Sequence, residues 1–112
     1  IIKMILFLLL LFALTNAYLL NNWYPISPYK NFDFSKPQKI NVLDKELVVW
    51  EKNETIVVQD NTCIHRKAPL SEGYIDKDTQ NLRCSYHGWE FDEKGCVTCL
   101  PQCNKKKIIK KL

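Results

Sequence analysis

Two short stretches carry both histidines of the chain and two of its five cysteines: Cys63-Ile64-His65 and Cys84-Ser85-Tyr86-His87. Thiolate and imidazole are metal-binding groups, and their joint spacing points to a metal site before a disulfide framework. Two kinds of site use two of each. In the first, all four surround one zinc ion. The common zinc pattern pairs cysteine with cysteine and histidine with histidine, whereas the order here is Cys-His and then Cys-His. With one residue between Cys63 and His65, chelation of a single tetrahedral ion is also strained. In the second, two sulfide-bridged irons take two protein ligands each, and each stretch gives a cysteine to one iron and a histidine to the other. Neutral imidazoles in place of thiolates remove negative charge. They raise the reduction potential to roughly −150 to +300 mV, from about −400 mV for an all-cysteine plant-type site. The order of the residues favours the two-iron arrangement, which moves single electrons.

Such stretches need short loops held by firm elements, and the sequence supplies strands. Lys39–Leu43 alternates, with Ile40 and Val42 on one face. Asp44-Lys45 reads as the turn after it. Leu47–Trp50 and Thr55–Gln59 are the next strands, and Glu51–Glu54 is the turn that makes them a hairpin. Asp92-Glu93-Lys94-Gly95 reads as a turn joining Trp89–Phe91 to Cys96–Thr98, with Gly95 taking the left-handed conformation. Asn21–Pro37 holds Pro25, Pro28 and Pro37 among Trp23, Tyr24, Tyr29, Phe32 and Phe34. It is expected to be extended and irregular, its aromatics packing on the domain edge. The fold expected is all-β: a small sandwich or barrel of short antiparallel strands with two cluster-binding loops.

A chain of 112 residues suffices for one small domain. Hydrophobic residues make up 46% and charged residues 25%, which allows a packed core. The formal net charge is +4, but Lys105, Lys106, Lys107, Lys110 and Lys111 leave the remainder at about −1. A nucleic-acid surface needs basic residues spread over a face with aromatics among them, so nucleic acid is not expected as a partner. Lys3, the apolar run Ile5–Leu14 and Thr15-Asn16-Ala17 have the layout of a signal peptide. The alternative is a membrane anchor, since Met4–Asn22 is uncharged, although Thr15, Asn16, Asn21 and Asn22 break its far end. The expected organisation is a targeting or anchor segment at 1–20, a folded domain at 21–103 and a basic tail at 104–112.

The flanks of the two stretches resemble the Rieske [2Fe-2S] domain of ring-hydroxylating-type oxygenases. The resemblance rests on Cys63-Ile64-His65-Arg66-Lys67-Ala68-Pro69-Leu70-Ser71-Glu72-Gly73 and on Cys84-Ser85-Tyr86-His87-Gly88-Trp89-Glu90-Phe91. Within that group the chain is most similar to the pheophorbide a oxygenase and chlorophyllide a oxygenase branch. Its Trp23-Tyr24-Pro25 start and its Gly95-x-x-x-x-Leu100-Pro101-Gln102 exit also resemble that branch. The resemblance covers residues 22–103. It implies a [2Fe-2S] cluster bound by Cys63, His65, Cys84 and His87, with the cysteines on the inner iron and the histidines on an outer iron near the surface. It further implies a tight turn at Gly88, Trp89 packed under the cluster and Pro69 stiffening the covering loop. The link between the halves is one residue longer than the resemblance suggests, with the extra residue in the Asp76–Asn81 turn. A disulfide-bridged variety of Rieske protein has another cysteine in each loop. Lys67 or Ala68 and Tyr86 stand there instead, so a potential toward the lower end of the range is expected.

An oxygenase of this kind also uses a mononuclear non-haem iron held by two histidines and a carboxylate. Both histidines are already assigned, so that catalytic domain is expected outside these residues. The chain then reads as the N-terminal electron-transfer part of an oxidoreductase, with a stand-alone Rieske ferredoxin as the alternative. The resemblance implies a reductase or ferredoxin as electron donor, the mononuclear-iron domain as acceptor, and a trimer in the full-length protein. A signal-type N-terminus with Ala17-Tyr18 fits import into a plastid, or else another organelle, with residues 4–20 as a route to membrane association. Cys96, Cys99 and Cys103 read as structural or incidental thiols, because no histidine remains to complete a second site.

Overall fold

The computed structural model describes Ile5 and residues 22–102. The expected leader at 1–20 (Ile5 apart), the tail at 104–112 and Cys103 lie outside the described residues. Among the described residues no helix is long and apolar enough to cross a membrane.

β-Branched and aliphatic residues recur through positions 38–60, and there the chain makes an antiparallel meander. Its strands are β1 (Gln38–Val42), β2 (Lys45–Lys52) and β3 (Thr55–Asp60), side by side in that order. Two-residue turns set the register. Leu43 and Asp44 have φ of 48° and 61°, and Asn53 and Glu54 have 48° and 62°. Paired left-handed residues twist a hairpin in the same sense as its strands. This moves the first turn from Asp44-Lys45 to Leu43-Asp44, because Lys45 already pairs with Val42. The second turn is narrower than Glu51–Glu54, because Glu51 and Lys52 pair with Ile56 and Thr55.

The second sheet holds β4 (Tyr74–Ile75), β5 (Leu82–Arg83), β6 (Glu90–Phe91) and β7 (Val97–Cys99), again in chain order. Its last hairpin turns where expected. Gly95 has φ of 73°, and the Asp92 carboxylate accepts the N–H groups of Lys94 and Cys96 at 2.9 and 2.8 Å. The core forms between the sheets. Val48, Trp50 and Val57 from the first meet Leu82, Phe91 and Val97 from the second, together with Leu70, Ala68 and Leu100. Each large side chain so buried contributes about 1.5–3 kcal/mol relative to exposure. Cys63 and Cys84 belong to the same cluster of buried residues, so the chemical end of the domain is continuous with its core.

The aromatic segment before β1 is irregular, as expected. Trp23 and Tyr29 are exposed. Phe34 meets Phe32 at 5.5 Å and Tyr29 at 5.1 Å, so these rings pack on one another, around a single 3-10 turn at Tyr29–Asn31.

A polar network fastens the sheets together. Lys52 Nζ donates to Asn81 Oδ1 at 2.6 Å and pairs with Glu93 at 2.7 Å, while Asn81 Nδ2 donates to Glu90 Oε1 at 2.8 Å. Burial pushes the Glu90 carboxyl up, but hydrogen bonds from Asn81 and Arg83 outweigh it and hold the group below the usual glutamate range. Backbone N–H bonds from Thr79 and Asp78 and the nearby Arg83 likewise hold Asp76 low. Carboxyls with depressed folded-state values add stability above their unfolded values, and that stability is lost as pH falls through the folded ones. Unfolding midpoints are therefore expected to stay level from neutral pH down to about 4.5 and to drop below it. Thermal melts followed by circular dichroism across pH 2–8 check this.

Candidate metal centre

The two stretches fold into loops with one backbone plan. In the first, Cys63 N–H bonds to Ala68 O at 2.8 Å and Lys67 N–H to Cys63 O at 2.8 Å. In the second, Cys84 N–H bonds to Trp89 O at 2.9 Å and Gly88 N–H to Cys84 O at 3.0 Å. The residue four after each cysteine is left-handed: Lys67 at φ 60° and Gly88 at φ 71°. Gly88 suits that place doubly, because a Cβ there would lie 2.9 Å from Pro101 Cγ, in the exit segment that packs over it. Lys67 is exposed and bears the strain of an L-residue in this conformation, roughly 1–2 kcal/mol. A glycine there removes the strain but frees the unfolded chain at a cost of roughly 0.5–1 kcal/mol. Lys67→Gly is therefore expected to stabilise the domain by about 0.5 kcal/mol and Gly88→Ala to destabilise it by about 2 kcal/mol. Urea denaturation of the two variants reads both signs.

Each loop is held at its base. The buried Asn61 accepts the Ser71 N–H at 2.7 Å behind the first. Behind the second, Arg83 and Glu90 stand opposite each other in the β5–β6 register, and Arg83 Nε and Nη2 donate to Glu90 Oε2 at 3.0 and 2.9 Å. The loops approach each other through Gly73, where a Cβ would lie 2.1 Å from the carbonyl oxygen of Arg83, the residue before Cys84.

The four candidate ligands come together as two pairs. Cys63 and Cys84 are buried in one cluster, close enough for each thiol to act on the other. Burial pushes the Cys63 thiol up and the Cys84 thiol adds to this, while backbone N–H groups of His65 and Arg66 aimed at the sulfur oppose it. Toward the surface, the rings of His65 and His87 meet edge-on with centroids 4.7 Å apart. Burial, then His87 and then Arg66, lower the pKa of His65 from its ordinary value, so its ring is neutral at pH 7. Its Nδ1 is buried and has no hydrogen-bond partner. Trp89 lies flat on His65 at 4.6 Å with a 2° interplanar angle, and Tyr86 meets His87 edge-on at 5.3 Å. Among the described residues, no three His, Cys, Asp or Glu side chains gather around a single ion position. The donor set, the paired thiols and the orphaned nitrogen fit a group of two irons.

Comparison with known proteins agrees: residues 22–111 match the Rieske [2Fe-2S] domain family. The chain belongs to that family. Pheophorbide a oxygenase, chloroplastic, of Oryza sativa subsp. japonica is 46% identical over 84 residues, 73% of this chain and 16% of that protein. Flavonoid 8-hydroxylase 2, chloroplastic, of Ocimum basilicum is 43% identical over 83 residues, 72% of this chain and 16% of that protein. Among solved structures, NdmA of Pseudomonas putida CBB5 superposes with a TM-score of 0.71 at 29% identity, covering 82% of this chain and 31% of that one. The chain therefore spans about a sixth of these two plant relatives, and its fold is that of the matched third of NdmA.

Trp89 stacks on the His65 ring, and Pro69 is an exposed lead into a 3-10 turn at Leu70–Glu72. Asn61, Gly73 and the Arg83–Glu90 pair went unassigned in the sequence, although Gly73 closes the first quoted stretch and Glu90 sits in the second. Cys96 and Cys99 are half-buried and unbridged. Three residues of extended chain separate their Cα atoms by roughly 10 Å, beyond disulfide reach.

Proposed function

We propose that this Rieske domain passes single electrons from a reductase or ferredoxin to an oxygen-activating iron held outside these 112 residues. In this reading Cys63 and Cys84 hold one iron and His65 and His87 the other. The observation that carries it is the layered site: a buried thiol pair behind an imidazole pair at the surface, with His65 Nδ1 unpaired. When bound, the [2Fe-2S] group supplies a one-electron acceptor and donor of moderate potential.

The protein's own part follows from its residues. The core keeps water from the thiols. The amides of His65 and Arg66 point positive dipoles at the Cys63 sulfur and favour its thiolate. Neutral His65 offers a lone pair, and Trp89 fixes the plane of its ring. Ile64 and Tyr86, 57% and 70% exposed, flank the imidazole edge as an apolar rim from which an arriving partner displaces water. Both histidines of the chain are used in this site, so a two-histidine iron centre belongs to another part of the protein. The chloroplastic pheophorbide a oxygenase of Oryza sativa supports a plastid enzyme acting on a chlorophyll-type macrocycle, and the chloroplastic flavonoid 8-hydroxylase supports the plastid.

Iron and acid-labile sulfide measured on anaerobically purified protein test the proposal, with electron paramagnetic resonance after reduction. The expected result is bound iron and sulfide with an average g-value below that of a four-cysteine cluster. Protein that holds zinc, or neither iron nor sulfide, would defeat it.

A further inference from the structure

The polar network behind the second loop carries an imbalance of charge. Arg83 directs Nε and Nη2 to Glu90 Oε2, and its Nε also lies 3.3 Å from Asp76 Oδ2. Glu90 Oε1 takes Asn81 Nδ2 at 2.8 Å and the Thr98 hydroxyl at 3.2 Å. The Glu90 side chain is only 3% exposed. One shell out, Lys52 touches Asn81 and pairs with Glu93. Three carboxylates, of Asp76, Glu90 and Glu93, thus face two cations, Lys52 and Arg83.

This group sits on the hinge of the second loop. Arg83 precedes Cys84, and Glu90 follows Trp89, whose carbonyl accepts the Cys84 N–H. A fixed charge in a poorly solvated place acts over a longer range than one in water. An extra electron arriving next to excess negative charge is disfavoured. We infer that Arg83, Glu90 and Asp76 set the reduction potential of the centre, their net negative charge holding it low. A clamp alone could be built from neutral hydrogen-bonding or apolar residues. An ion pair with a second carboxylate adds a signed electrostatic effect.

The inference rests on the two-iron reading above, and one experiment separates the two. Protein of the full chain, loaded with iron and sulfide, is titrated one electron at a time, and the reduced fraction is followed by paramagnetic resonance at fixed pH and ionic strength. Glu90→Gln is expected to shift the potential upward and Arg83→Gln downward. The double variant Arg83→Gln/Glu90→Gln leaves no unpaired buried charge, and its potential should lie between those of the two single variants. Asp76→Asn leaves the Arg83–Glu90 contact in place and should shift the potential upward by less than Glu90→Gln. If a single buried-charge variant does not fold, Asp76→Asn and the double variant carry the test. Shifts that ignore the sign of the charge removed, or an unmoved potential in Asp76→Asn, overturn the inference. Wild-type protein that binds no iron overturns the two-iron reading itself.

Discussion

His65→Ala and His87→Ala proteins are expected to purify without the mixed-ligand iron–sulfur spectrum while keeping their far-ultraviolet circular dichroism. Both rings sit at the half-exposed edge of the site, so their removal leaves the core of Val48, Trp50, Leu82 and Phe91 intact. The loss should be complete for each, because a two-iron group short of one ligand has no spare nitrogen to recruit: the chain contains two histidines. Trp89→Phe is the matched control, since a smaller ring can still lie on His65 and should leave the spectrum present. Absorption and paramagnetic resonance spectra of the three proteins decide the matter. An unaltered spectrum from either histidine variant would remove that residue from the site.

The second large effect is predicted at a position that touches no candidate ligand. Gly73→Ala would place a methyl group 2.1 Å from the Arg83 carbonyl oxygen and 2.9 Å from that of Leu70. Both obstacles are backbone, so neither can swing aside. The loops must separate, or β4 must leave β5, with which Tyr74 and Ile75 pair. Overpacking of this severity costs about 3 kcal/mol, a large fraction of the roughly 5–15 kcal/mol that holds a domain together. The variant should show a lower urea midpoint and, where it folds, reduced cluster content. An alanine variant with a wild-type midpoint would show that the approach at Gly73 is loose.

The chemistry was more legible than the scaffold. Cys63, His65, Cys84 and His87 are separated in sequence but carry a distinctive order of residue types, and a short motif survives reading one chain at a time. Strands β1 to β3 were visible because Ile40, Val42, Val48, Val57 and their neighbours alternate over several residues. β4 and β5 span two residues each, too few to show any period, so tertiary contacts define them. The first hairpin turn was misplaced by one residue because Leu43 is not a turn-former. Asp44 tolerates the left-handed region, and the β1–β2 ladder carries Leu43 into it beside Asp44. The Arg83–Glu90 pair was hidden for a different reason. Residues seven apart become neighbours only once the loop between them is closed by its own hydrogen bonds.

The twin loops place their histidines at different steps of an identical frame, two residues after Cys63 and three after Cys84. Duplicated scaffolding with unequal offsets breaks the two-fold equivalence of the loops. One imidazole wears an indole lid and the other presents an edge beside a phenol. A visitor arriving from solvent therefore meets a surface with a left and a right, and turning it half a circle would bring it against the wrong ring.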